Sequence, residues 1–131
     1  APEDMSAEIA GVDEDLVNLV GHGATVLRPP YGNINDSVRS TVGTPMILWS
    51  IDTLDWETQD ASQITEAVMS QVQDGSIILM HDIFSTSVDA AEIFIPKLIE
   101  EGYQLVTIHE LAKIKGTELT TGIAYGDFTG Q

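Results

Sequence analysis

The chain contains no cysteine, so disulfides and thiolate metal sites are excluded, and the absence by itself leaves the compartment open. Basic residues are scarce, with five Lys and Arg against 21 Asp and Glu and a net charge of −16. Phosphate-backbone recognition needs clustered cations, so no nucleic-acid partner is expected, and the acidic surface reads as a solvated, solubilising one. No apolar run approaches the roughly 18 residues of a membrane span. A basic, apolar leader is also missing; the chain opens on "APEDM", and a targeting segment is expected to have been removed or never included.

What is present suits a globular domain. A length of 131 residues fits one domain or a piece of a larger one, and 43% hydrophobic with 20% charged residues argues against disorder. Met5, Ile9, Val12, Leu16 and Val20 form one apolar stripe and predict a helix that Gly21 and Gly23 end. "TVLR" (25–28) predicts a strand, "NDSVRSTVG" a brief helix ending at Gly43, and "PMILWSI" (45–51) the next strand. Asp60 with Gln63 resembles a capping box that opens the helix "ASQITEAVMSQV". "SIILM" (76–80) predicts a third strand and "VDAAEIFIPKLIEEG" (88–102) a helix, with Pro96 kinking it or marking its start region. "YQLVT" (103–107) predicts the fourth strand and "HELAKIKG" a last helix.

Strands alternating with crossover helices make neighbouring strands parallel, which gives an α/β class with four parallel strands. Four such units cannot close a barrel. A small open sandwich and half of a larger barrel both remain open from the pattern alone.

In parallel α/β folds, chemistry collects at the carboxyl ends of strands. Those positions carry "RPPYG" (28–32), "DTLDW" (52–56), "HDIF" (81–84) and His109. Each residue has an ordinary reading: Arg28 as a surface ion-pair partner, Asp55 as a turn residue, Trp56 as core, His81 as a satisfied polar group. Together on one rim, Arg28, Asp55 and His81 bring a cation, a carboxylate and an imidazole towards one place, as acid–base chemistry requires. His22 precedes the first strand and reads as a loop residue; Asp52 and Asp82 read as turn or capping residues.

"LRPPYG", "DTLDW" and "IILMHD", in that order and spacing, resemble the last three of the five motifs of the NodB-homology polysaccharide deacetylases, carbohydrate esterase family 4. The resemblance implies the C-terminal half of a distorted (β/α)7-8 barrel over residues 1–115, followed by a tail over 116–131. The family's first motif, T-F-D-D-G, supplies a catalytic base and a metal-binding aspartate; its second, H-S/T-x-x-H, supplies two histidine ligands. Neither stands in this sequence. The expectation is therefore a divalent metal, commonly zinc, held by a missing N-terminal half of the same barrel that can be a separate chain. This chain would hold no metal ligand and would be inactive alone.

By the same resemblance His81 is the general acid, Asp55 the aspartate that orients it, and Arg28 the arginine that pairs with the base. The backbone N–H of Tyr31 faces the oxyanion, and Leu79 with Trp56 lines a pocket for the acetyl methyl. An acetylated polysaccharide is the implied partner (peptidoglycan, chitin oligomer or xylan), and a secreted or cell-surface location follows. Two alternatives stay open. Asp55, His81 and His109 are suitable ligands for a metal site of their own, and Trp56 with Tyr31 suits a carbohydrate-binding barrel without chemistry.

Overall fold

A computed structural model of the chain describes residues 1–130, which form two compact units. The first comprises residues 1–48 and 118–125. Its helix α1 (Pro2–Val20) begins on a proline, whose fixed φ and missing N–H suit a first turn, three residues before the apolar stripe starts. Met5, Ile9 and Leu16 are half-buried, whereas Val12 and Val20, expected on the same stripe, are exposed. Gly21 closes α1 in the left-handed region at φ 88°, donating its N–H to the Val17 carbonyl. Helix α2 (Asp36–Thr41) is capped by Asn35, whose Oδ1 accepts from the Val38 N–H at 2.9 Å.

Strand β1 (Met46–Ile47) pairs in parallel with β4 (Ala124–Tyr125), Met46 opposite Ala124. The strand expected over 25–28 is reduced to one parallel bridge, Leu27 to Met46. Pro29 and Pro30 follow at once, and without N–H groups they cannot extend a ladder. The segment after Gly116, expected as a tail, supplies β4.

The second unit comprises residues 49–117 and 126 onward. The expected strand over 45–51 divides, and its second part is β2 (Ile51–Asp52), paired in parallel with β3 (Ile78–Leu79). Ser50 accounts for the break: its Oγ accepts the Ile77 N–H at 3.0 Å, a side chain standing where a strand would use backbone. After β2 come the single-turn helix α3 (Asp55–Thr58) and α4 (Ala61–Gln71). Asp60 caps α4 as expected, accepting from the Gln63 N–H at 2.9 Å. Helix α5 (Ser85–Glu100) starts three residues earlier than the sequence suggested and runs through Pro96. Helix α6 (Ile108–Ile114) opens on a reciprocal capping box between Thr107 and Glu110.

The core of this unit is the seam between α4 and α5: Ile64 and Val68 pack on Ala90, Phe94 and Leu98. Tyr103 lies against that seam and donates its hydroxyl to the Val72 carbonyl at 3.4 Å. Residues 103–107 form no ladder among the described residues, correcting the expected fourth strand. β-Propensity records fit to a pleated surface and cannot supply the neighbouring edge that a strand needs.

Phe128 is fully buried and donates its backbone N–H to the Gly75 carbonyl at 2.8 Å. Gly75 holds φ 96°, and a Cβ there would run into the Phe128 carbonyl group and come within 2.6 Å of the Thr129 nitrogen. Gly75→Ala therefore combines left-handed strain with overlap against backbone, and it should destabilise the fold by about 2–4 kcal/mol. Equilibrium urea unfolding checks this; an unchanged midpoint would contradict the close approach.

Candidate active site

The site is built where β2 and β3 run out. Their parallel register places Asp52 opposite Leu79, so Asp55 and His81 emerge at the same end of the pair. Between them the chain is tied down. Thr53, buried, donates its hydroxyl to the Leu79 carbonyl at 2.8 Å, and Asp52 Oδ1 accepts the Leu54 N–H at 3.0 Å. That short Asx-type turn holds Leu54 at φ 52°, a left-handed conformation that non-glycine residues keep only when their surroundings fix it. The turn delivers Asp55 to the start of α3 with no exposed surface.

The Asp55 carboxylate receives four donors. Oδ1 accepts from His81 Nδ1 at 2.8 Å and from the Trp56 N–H at 3.0 Å; Oδ2 accepts from the His81 N–H at 2.6 Å and from Ser87 Oγ at 2.7 Å. An ionised carboxylate offers about four lone-pair positions and donates nothing, so the arrangement suits only the charged form. Burial pushes this carboxyl upward. The His81 ring, the Ser87 hydroxyl and the His81 N–H, with the charge of His81 added, pull it back below the ordinary carboxylate range. Because Asp55 can only accept, Nδ1 of His81 must carry a proton, and the nitrogen left for proton exchange is Nε2. The His81 side chain is 42% exposed while Asp55 is enclosed, so the open part of the ring is the edge away from Asp55. Phe84 meets the ring edge to face at a centroid distance of 6.4 Å.

The remaining expected site residues are placed as follows. Leu79 is buried in β3, and Trp56, on α3, is half-exposed. Arg28 and Tyr31 belong to the first unit. Arg28 donates from Nε to the Ile47 carbonyl at 3.3 Å and from Nη2 to the Leu48 carbonyl at 3.1 Å, at the end of β1, and burial lowers its pKa. Tyr31 sits 93% exposed in the tight turn Pro30–Gly32 with φ 58°. Within the first unit, a cavity of about 620 Å³ lies between α1, the Leu27–Tyr31 segment and α2, and Arg28 and Tyr31 are on its wall.

His22 is an exposed loop residue, as expected, and Asp52 serves its turn. The alternative of an Asp55–His81–His109 metal site is corrected. Among the described residues no group of three His, Asp or Glu is arranged to hold an ion. The lone pairs of Asp55 are taken by N–H and O–H donors, and His109 lies on α6. Sequence reading missed Ser87. With the helix expected to start at Val88, a serine one residue earlier looked like loop, and no spacing rule connects it to Asp55.

No protein-family profile matches the chain. It is 44% identical over 103 residues to peptidoglycan-N-acetylmuramic acid deacetylase PdaC of Bacillus subtilis, covering 78% of this chain and 22% of that protein. It is 36% identical over 127 residues to peptidoglycan-N-acetylglucosamine deacetylase PgdA of Listeria monocytogenes, covering 97% and 27%. The chain thus spans about a quarter of the length of these curated relatives. Among solved structures, a family 4 acetyl xylan esterase from Clostridium thermocellum in complex with a cobalt ion superposes with a TM-score of 0.89 at 27% identity, covering 97% of this chain and 64% of that one. This likeness supports the α/β class and the partial-barrel reading of the short parallel strands. Shared sequence with peptidoglycan deacetylases, shared fold with a family 4 esterase and the three ordered motifs agree: the chain belongs to the NodB-homology polysaccharide deacetylases, carbohydrate esterase family 4.

Proposed function

We propose that the complete protein hydrolyses acetyl groups from an acetylated polysaccharide, with peptidoglycan ahead of xylan or chitin oligomers, and that this chain supplies the acid half of the reaction. The observation that carries the reading is the buried Asp55 carboxylate holding His81 by Nδ1. Expelling an amine from an N-acetyl sugar requires a proton on nitrogen as the carbon–nitrogen bond breaks. His81, protonated at both nitrogens, donates from Nε2 to the leaving atom; Asp55 keeps the ring aimed and balances its charge before that transfer. Arg28 is assigned to pair with the catalytic base, the Tyr31 N–H to face the developing oxyanion, and Leu79 with Trp56 to enclose the acetyl methyl. Fixed donors aimed at such an oxyanion are worth about 3 kcal/mol each.

The metal that the family resemblance implies does not fit the residues present, because the described residues contain no three-ligand group. Its ligands and the base are assigned to polypeptide outside residues 1–131, and the chain by itself is expected to be inactive. A secreted or cell-surface location follows from a polymeric substrate. The test is acetate release by the complete protein from N-acetylated glycan and from acetylated xylan. Release should be lost with a chelator and restored by a divalent ion. Full activity in chelator would remove the metal from the reading, and no release from any acetylated glycan would remove the reading itself.

A further inference from the structure

Ser87 lies on the third residue of α5, 2% exposed, and its hydroxyl reaches out of its own helix to Asp55 Oδ2 at 2.7 Å. Hydroxyls within helices commonly bond back to a carbonyl one turn earlier, as Thr65 does in α4 to the Ala61 carbonyl at 2.7 Å. Ser87 instead links α5 to the turn after β2. It shares Oδ2 with the His81 N–H, so that oxygen is gripped from two elements and Oδ1 is left facing Nδ1. Rotation of a carboxylate about its last torsion is soft. Without Ser87 three donors remain, two on Oδ1 and one on Oδ2; the hydroxyl adds the fourth and restrains the torsion from a second element. The first turn of α5 adds the positive end of a 16-residue helix close to the same carboxylate.

We propose that Ser87 is a positioning residue of the Asp55–His81 pair, locking the carboxylate so that His81 keeps its proton on Nδ1 and presents Nε2 for proton transfer. The inference rests on the reading of His81 as the acid. Solvent is a poor substitute for the hydroxyl, since deleting one oxygen leaves less than the roughly 30 Å³ a water occupies in the liquid.

The test uses Ser87→Ala and Ser87→Thr in the complete protein. Ser87→Ala should lower kcat for acetate release about tenfold, the usual effect of losing one hydrogen bond to a charged group, with KM within about twofold of the parent. Ring ¹⁵N NMR of neutral His81 should show the Nε2–H tautomer gaining population, and Ser87→Thr, which restores the hydroxyl, should return both quantities towards the parent. If the alanine variant does not fold, Ser87→Cys, of similar size but a weak donor, reads the same two quantities. A folded alanine or cysteine variant with parental kcat and an unchanged His81 spectrum would overturn the proposal. Unperturbed turnover in His81→Ala would defeat the acid assignment instead, while the tautomer measurement would still report on Ser87.

Discussion

Replacing His81 with alanine in the complete protein is expected to lower turnover by roughly two to four powers of ten, the usual contribution of a positioned general acid. The variant removes the Nε2 proton donor and leaves the main-chain N–H that binds Asp55 Oδ2 in place. Asp55 then loses one donor of four, so the fold should survive while the chemistry fails. The leaving group provides a sharper check. On an N-acetyl sugar the departing amine needs the proton; on an aryl acetate the phenolate departs without it. The deficit should therefore shrink markedly on the aryl ester. An equal deficit on both substrates would indicate a binding or structural role, and near-parental turnover on the sugar would remove His81 from the mechanism.

Asp55→Asn is the second large effect, and it acts on activity and stability together. The amide keeps the shape but replaces one acceptor oxygen with an NH₂, which must face either the His81 ring and Trp56 N–H or the His81 N–H and Ser87 hydroxyl. Either orientation sets donors against donors in a place without solvent, at about 1–3 kcal/mol for each group left unsatisfied. If the NH₂ meets Nδ1, His81 is driven to the tautomer whose proton sits on Nε2 and whose ring has lost its counter-charge. Turnover is expected to fall about a hundredfold or more.

The pH dependence of stability has a definite sign. The folded-state pKa of Asp55 is depressed, so its contribution is fully present above the unfolded carboxylate value of about 3.9 and disappears as pH falls through the lower folded value. The stability difference between parent and Asp55→Asn should narrow in acid. Chemical unfolding at neutral pH and across the acid range tests this; a difference that widens in acid would reverse the assignment.

The Asp55–His81 pair was more legible than the strands. Asp55 and His81 could be placed together because a parallel register carries successive strand ends to one rim, and that follows from alternation alone. The caps at Asp60 and Gly21 were legible for a similar reason, since each is a local contract between a side chain or a φ value and its own helix. What failed depended on partners. "YQLVT" has the composition of a strand and no ladder, whereas Ala124–Tyr125, in a stretch rich in Thr and Gly, has one. Ser87 was invisible because its only informative neighbour lies 32 positions away. Arg28 was singled out as a cation, but its anchoring by the carbonyls of Ile47 and Leu48 is a backbone fact that no residue letter records.

The stretch from Glu118 to Phe128 has a consequence for biosynthesis. Met46 and Ile47, already bonded to the Leu27 segment, acquire their second hydrogen-bonded neighbour only when Ala124 and Tyr125 arrive, and the Gly75 carbonyl gains the Phe128 N–H later still. Neither unit has all its partners until residues 118–128 have been made. A nascent polypeptide stalled before that point would carry an open strand edge in one unit and lack the buried Phe128 in the other, and would be a ready client for chaperones.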